Sequence, residues 1–192
     1  MTVSETAFKN LSLSPKTRGF TLVELLVSIT VMAILLVLTL PSFQNSVMNN
    51  RISAKIDALA NSLSYARNTA LSQNIDVSVC PAGTAGSTTC GTSWQNGWIV
   101  VSQPTVGPAV LLQATLTGVN DPLLSAVPIG GVAASSITFD SRGLATTQAN
   151  FKACDHRGGA FARSVEVLPT GFIQTGSTMG MAAWDGGALT CP

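Results

Sequence analysis

Charged residues are scarce in this sequence. Asp, Glu, Lys and Arg make up 10% of its 192 residues, and the formal net charge is +1 at pH 7. A protein that binds nucleic acid through bulk charge carries a marked excess of Lys and Arg. The composition therefore gives no support to that class of protein.

Histidine occurs once, as His156, which follows Asp155 in a polar, Gly-rich stretch. A nucleophilic site needs a Ser or Cys within hydrogen-bonding distance of a base, and the sequence offers no pattern of that kind. We expect His156 to lie on the surface. We also expect no enzymatic activity and no cofactor.

The four cysteines, Cys80, Cys90, Cys154 and Cys191, lack the close pairs of a zinc site, so we expect no metal. All four follow the long apolar run described below, and an even number in that position suggests two disulfides in an oxidising compartment. Four cysteines allow three connectivities. We favour Cys80–Cys90 as a short local link and Cys154–Cys191 as a tether for the C-terminus.

The scarcity of charge is most marked in residues 20–40, where Glu24 is the only ionisable side chain. At about 1.5 Å per residue, a helix of this length spans roughly 31 Å, enough to cross a bilayer core. A carboxylate inside such a helix is costly, which makes Glu24 a functional candidate. The basic residues Lys9, Lys16 and Arg18 precede the run, a pattern that favours keeping this end in the cytoplasm.

Three interpretations of this segment compete. A secretory signal peptide needs a shorter apolar core and a small-x-small cleavage site, which residues 41–45 do not offer. A plain membrane anchor explains the length of the run but not Glu24. In the third interpretation, Gly-Phe-Thr-Leu-Val-Glu at residues 19–24 resembles the cleavage signature of type IV prepilins. This resemblance implies cleavage after Gly19, N-methylation of Phe20, and a salt bridge from Glu24 to the Phe20 amine of an adjacent subunit during assembly.

A second helical segment is predicted after the apolar run. Pro41 is expected to end or kink the first segment. Beyond it, apolar residues recur at alternating spacings of four and three, which indicates an amphipathic helix packed on a sheet. These residues are Ile52, Ile56, Leu59, Leu63, Ala66 and Ala70. Polar residues, among them Lys55, occupy the other positions, and Arg51 and Arg67 are expected on solvated faces or in ion pairs.

From Asn74 onward the pattern changes to short β-rich runs separated by turn residues. Strands are predicted at 75–80, 98–102, 110–114, 136–140, 150–154, 163–168 and 172–175. The Pro- and Gly-interrupted stretch 120–131 is expected to be irregular. The fold class is therefore α+β, a long helix followed by a β-rich domain.

Several segments downstream of the apolar run resemble the FimT/FimU/GspH group of type IV minor pilins and pseudopilins. They are Ala-Arg-x-x-Ala at 66–70, the paired-tryptophan segment 94–100, the strand and turn 137–143, and the final strands from Cys154 to Gly171. Together with the N-terminal motif, the resemblance covers the chain from Arg18 onward. It implies a type IV pilin-like fold, in which a long N-terminal helix with a membrane-spanning first half packs on a C-terminal antiparallel β-sheet domain.

The same resemblance implies the domain limits and the cellular context. It divides the chain into a prepilin leader (1–19), a transmembrane and fibre-core helix (20–40), its amphipathic continuation (41–73) and a periplasmic β-rich domain (74–192). The protein would cross the bacterial inner membrane once and then enter a pilus or pseudopilus. Its implied partners are prepilin peptidase, the inner-membrane assembly platform, and other minor and major pilins or pseudopilins.

The implied function is that of a minor pilin that helps to prime assembly of a type IV pilus near its tip. Three alternatives stay open: a GspH-like minor pseudopilin of a type II secretion system, a pilus DNA-uptake receptor, and an envelope enzyme on an ordinary anchor.

One departure from the group counts against the DNA receptor. DNA-binding FimT proteins carry Gly-Arg-x-Arg in the last hairpin, whereas residues 171–174 here read Gly-Phe-Ile-Gln. The missing arginines would supply the phosphate contacts that dominate such affinity, so nucleic acid is an unlikely partner. Other basic residues could form a weak substitute patch, although an ordinary polar surface is the favoured interpretation; they are Arg142, Lys152, Arg157 and Arg163.

Overall fold

The computed structural model describes residues 19–83, 89–103, 109–118 and 122–191, without the side chains of 37–42 and 103. The predicted leader therefore lies outside the described residues except for Gly19. The chain divides into two compact units, Met1–Phe43 and Gln44–Pro192.

Helix α1, Leu22–Gln73, contains 52 residues. It begins where the Glu24 backbone N–H donates to Thr21 Oγ1 at 3.2 Å, a side-chain cap of the first turn. It ends where Asn74 adopts a left-handed φ of 54° and the Ile75 N–H bonds to the Ala70 carbonyl.

Helical backbone continues through Pro41, so this residue does not end the first segment, while the alternative expectation of a kink stays a prediction. The physical reason is that a proline removes only one backbone hydrogen bond locally, while the turns on either side keep theirs.

The β-domain contains two four-stranded antiparallel sheets. The strands are β1 (Asp76–Pro81), β2 (Gly97–Gln103), β3 (Val110–Leu116), β4 (Leu123–Val127), β5 (Ile137–Phe139), β6 (Ala149–Cys154), β7 (Arg163–Val167) and β8 (Ile173–Thr175). The first sheet has the order β3-β2-β1-β5 and the second has the order β4-β6-β7-β8. The α+β class and the antiparallel sheet domain are confirmed.

Strand β4 corrects the prediction that residues 120–131 are irregular. It lies between Pro122 and Pro128 and pairs with β6, with Leu123 opposite Cys154 and Val127 opposite Asn150. The strand was not predicted because the flanking prolines interrupt the local β-rich pattern of the sequence. Pairing with a strand distant in sequence supplies the hydrogen bonds that stabilise it.

The main hydrophobic core lies between α1 and both sheets. All six residues of the predicted apolar stripe of α1 are buried in it, which confirms the amphipathic interpretation. Lys55 is also buried. Its ammonium group donates to Thr117 Oγ1 at 3.0 Å and lies over the Trp98 ring, and these contacts compensate for the lost water.

The tryptophans are packing residues. Trp98 is fully buried, and Trp94 contacts Phe151 edge-on with a ring-centroid distance of 4.7 Å. The indole N–H of Trp94 donates to the Ala134 carbonyl at 2.9 Å, so its one polar group is satisfied. Trp184 packs against the small cluster around Cys154.

Candidate functional site

The N-terminal half of α1 exposes an apolar surface. Phe20, just before the helix, is 78% exposed, and the apolar side chains of its first turns are exposed as well. These are Leu22, Val23, Leu25, Leu26, Val27, Ile29, Val31, Met32, Ile34, Leu35 and Leu36. An exposed apolar surface of this extent marks a contact with a membrane or with another protein.

The described part of the chain leaves out the side chains of residues 37–42. Within that part, no helix has a stretch that is both long and apolar enough to cross a membrane. The predicted span over 20–40 includes those residues, and it stays a prediction.

Glu24 lies in the first turn of α1, within this apolar surface. A carboxylate is favourable at this position because unpaired backbone N–H groups leave a partial positive charge at a helix N-terminus. The chain offers a negative group one turn from the Gly19–Phe20 bond. The capping residue Thr21 was not singled out from the sequence, although the Thr-x-x-Glu spacing is a known signal for it.

Arg157, one of the four basic candidates, is held inside the domain. Its guanidinium forms an ion pair with Asp155 at 2.8 Å, donates to Asn49 Oδ1 at 2.8 Å, and lies over the Phe161 ring at 4.3 Å. The Arg157 side chain is only 10% exposed. These contacts fasten the loop after β6 to the neighbouring turn of α1, and they leave little of Arg157 for an external ligand.

Arg142 forms the same local ion pair on the surface. Its guanidinium lies 2.8 Å from Asp140 Oδ2, and its backbone N–H donates to Asp140 Oδ1 at 2.9 Å, as in the Asp155–Arg157 turn. The Arg142 side chain is 77% exposed. The two Asp-x-Arg turns therefore differ in burial and not in local geometry.

Lys152 and Arg163 point to opposite faces of the second sheet. Lys152 lies opposite Ser164 in the β6–β7 register, whereas Arg163 lies opposite Ala153. Since neighbouring residues of a strand alternate between faces, these two cations are separated by the sheet. Lys152 donates to the Thr190 carbonyl, and Arg163 Nη1 donates to the carbonyls of the segment after β8.

The four basic residues lie on different parts of the fold. Arg142 follows β5 of the first sheet, while the other three belong to the second sheet and the loop after β6. The weak nucleic-acid patch suggested by their proximity in sequence stays a prediction.

The ion pairs also set the charge state of the two aspartates. Burial acts to raise the pKa of the Asp155 carboxyl group, but hydrogen bonds from the side chain and backbone of Arg157 outweigh it and hold the pKa below its ordinary value. The hydrogen bond from the Arg142 side chain lowers the pKa of Asp140, assisted by the Leu144 backbone N–H. Both aspartates are therefore charged at neutral pH.

Both favoured cysteine pairs are present as disulfides. Cys80–Cys90 has a Cα–Cα distance of 5.5 Å, and Cys154–Cys191 has one of 5.9 Å. The second disulfide fixes the C-terminal segment over the face of the second sheet that carries Ser164. Part of the loop closed by the first disulfide, residues 84–88, lies outside the described part of the chain.

His156 is exposed, as expected. In the described ranges 19–83, 89–103, 109–118 and 122–191, no group of three or more His, Cys, Asp or Glu residues could hold a metal ion.

Comparison with known structures agrees with this fold. A crystal structure of the type IV minor pilin FimU from Pseudomonas aeruginosa superposes with a TM-score of 0.52 at 21% identity, and the match covers 70% of this chain and 96% of FimU. A second crystal form of FimU gives a TM-score of 0.50 at 20% identity, covering 69% and 99%. No protein with a curated description matches the chain significantly.

Two family models match the sequence. The prokaryotic N-terminal methylation motif matches residues 14–40, which contain Gly19, Phe20 and Glu24. The model of the type II transport protein GspH matches residues 55–171, more than half of the chain. This protein therefore belongs to the GspH family, within the group of type IV minor pilins and pseudopilins.

Proposed function

We propose that this protein is a minor pilin that is cleaved between Gly19 and Phe20, N-methylated on Phe20, and incorporated near the tip of a type IV pilus, where it helps to prime assembly. One observation carries the proposal. A carboxylate, Glu24, lies in the first turn of α1 among exposed apolar side chains, within the matched N-terminal methylation motif.

Before assembly, the apolar helix would hold the protein in the inner membrane with the β-domain in the periplasm. Prepilin peptidase would release the Phe20 amine, and the assembly platform would then move the subunit into the fibre alongside other pilins. In the dry fibre core, an unpaired carboxylate is costly, whereas one paired with the Phe20 amine of an adjacent subunit is not. The pairing would thus select one register of packing.

Glu24→Ala tests this role directly. The variant should be processed and retained in the membrane as in the wild type, because its side chain is not part of the cleaved bond. Its amount in sheared fibres, relative to the membrane, should fall at least tenfold. Ser28→Ala is a matched control one turn away, where the hydroxyl only donates to the Glu24 carbonyl of the same helix. Incorporation of Glu24→Ala at the wild-type level would contradict the role.

Processing is tested at Gly19. A Cβ added at this position meets no atom within 4 Å, so Gly19→Leu does not disturb the folded chain. We expect an uncleaved precursor that stays in the membrane and is absent from fibres. A mature mass for this variant would show that cleavage occurs elsewhere.

A second candidate is a minor pseudopilin of a type II secretion system. The observation that favours it is the family model, which is named for a type II transport protein. The physical mechanism is the same, with a shorter fibre. Detection of the protein in sheared surface pili supports the first candidate. The second candidate is supported if the protein is found only in the envelope and if the cells need it for normal secretion.

A further inference from the structure

Strand β8 leaves one edge of the second sheet unpaired. It is the last strand of that sheet among the described residues. The Gly176 N–H bonds to the Ser164 carbonyl, and the Leu168 N–H bonds to the Phe172 carbonyl. Since hydrogen-bonded and non-bonded pairs alternate in an antiparallel ladder, the backbone N–H and C=O groups of Ile173 and Thr175 point away from β7.

Two cavities lie at this edge, between β8 and α1, and together they define what we name the β8–α1 groove. One cavity of about 240 Å³ lies at its first end, between Phe172 and Ile173 of the sheet and Asn68 of the helix. A second cavity of about 190 Å³ lies at the other end, beside Thr175. A strand added to β8 would therefore find open backbone groups on one side and a helix surface beneath it.

The second cavity contains one basic and one acidic residue. Arg163 and Asp57 both line it. Arg163 Nη1 donates to the Gly176 and Ser177 carbonyls, but its Nε is buried without a hydrogen-bond partner. A neutral amide side chain complements this pair, because its oxygen can accept from the guanidinium while its nitrogen donates to the carboxylate.

We propose that the β8–α1 groove receives an extended strand of a neighbouring pilin-type subunit, which pairs with the outer edge of β8. The proposal rests on the proposed function, since it names the partner within the fibre or its membrane precursor. Such strand addition takes its affinity from main-chain hydrogen bonds and its specificity from pockets for alternate side chains.

The geometry also describes the partner strand. Residues on one face of a strand recur every second position, so residues four apart lie about 13 Å apart. The two cavities lie beside Phe172–Ile173 and Thr175–Gly176 at the two ends of β8, and the helical residues that line them are about two to four turns apart. The partner therefore presents an Asn or Gln side chain to Arg163 and, about four residues away, an apolar side chain to Phe172.

The experiment places a photoreactive benzophenone side chain at Asn68 of the full-length protein in its native cells. Asn61 is the matched control: it is an exposed asparagine of the same helix, and it lines a different cavity beside Leu112. After irradiation, cross-linked residues are identified by mass spectrometry. We expect Asn68 to capture an edge strand of another protein with a prepilin signature, and Asn61 to give at least tenfold less of that product.

Two substitutions test strand addition itself. Thr175→Pro removes the outward backbone N–H but no bond to β7, whereas Thr175→Val keeps the N–H at similar size. The Asn68 product should fall at least tenfold in Thr175→Pro and persist in Thr175→Val. Asp57→Lys, at an exposed helix position, places a second cation beside Arg163 and should reduce the cross-linked product by a similar factor. This substitution lies on α1 and leaves the residues of the sheet unchanged.

Equal capture from Asn68 and Asn61, an undiminished product in both Thr175→Pro and Asp57→Lys, or capture of a protein without a prepilin signature would overturn the proposal. So would capture of a second copy of this chain alone. A failure here differs from a failure of the proposed function. If only strand addition is wrong, Glu24→Ala still fails to assemble while Thr175→Pro assembles normally. If the proposed function is wrong, Glu24→Ala assembles.

Discussion

The burial of the ion pair between Arg157 and Asp155 allows a quantitative prediction about the stability of the protein. Arg157→Ala removes the guanidinium that pairs with Asp155 and donates to Asn49 Oδ1. It also leaves the Phe161 ring without its stacked cation. The carboxylate and the amide oxygen would both stay in the fold with fewer donors. We therefore expect a large loss of stability from a residue that lies far from the N-terminal motif.

The magnitude follows from the exposure of the pair. Breaking a buried ion pair by removing one partner costs about 3–5 kcal/mol, and a hydrogen bond to a charged group contributes about 1.5–3 kcal/mol. Asp155 keeps 13% of its side-chain exposure, so water can solvate the orphaned carboxylate in part. We expect a loss of about 2–4 kcal/mol in unfolding free energy, or a fall of about 5–15 °C in Tm.

The assay is thermal unfolding of the full-length protein in detergent, followed by tryptophan fluorescence. Arg142→Ala is the control, because its Asp-x-Arg turn has the same ion-pair distance but an exposed side chain. Surface ion pairs of this kind contribute little, so the control should leave Tm unchanged. Equal Tm shifts in the two variants would refute the argument that burial, and not the local geometry of the turn, determines how much Arg157 contributes to stability.

Three further predictions concern pH, the C-terminal disulfide and DNA. Because the pKa of Asp155 lies below its ordinary 3.8 in the fold, its contribution to stability is present above that value and is lost as pH falls through the lower folded pKa. The Tm difference between wild type and Asp155→Asn should thus be constant from neutral pH down to about pH 5 and shrink below pH 4. Cys191→Ser should cost about 2–5 kcal/mol and expose the C-terminal segment to protease, and a Cys80–Cys154 peptide in non-reducing mapping of the wild type would contradict the pairing. The protein should show no duplex DNA binding at physiological salt by fluorescence anisotropy, and micromolar binding that is lost in Arg163→Gln would show that a basic patch exists after all.

Much of the fold could be predicted because its signals are local. The apolar stripe of α1 has the period of a helix, so the six residues that it names are all in the core. Seven of the eight strands follow from short β-rich runs between turn residues. Strand β4 escaped prediction because its stability comes from pairing with β6, a contact that no local pattern records.

The candidate sites divide in the same way. The N-terminal methylation motif with Gly19, Phe20 and Glu24 is contiguous, so it could be found from the sequence alone. Its expected role in assembly depends on the contact of two subunits, which one chain does not contain. For the basic residues, proximity in sequence was not a guide to position in the fold. It suggested a patch, but strand alternation places Lys152 and Arg163 on opposite faces of the sheet.

The amino-acid sequence by itself determined where the helix buries its apolar face, where the cleavage motif lies, and which residue types surround it, because each depends on residues within a few positions of one another. Only the tertiary structure decided that Arg157 is internal while Arg142 is exposed, although both belong to identical Asp-x-Arg turns. It also decided that β8 is an edge with a groove beside α1. Burial and strand order arise from contacts between distant parts of the chain, and these contacts change the solvent around a residue without changing its neighbours in sequence.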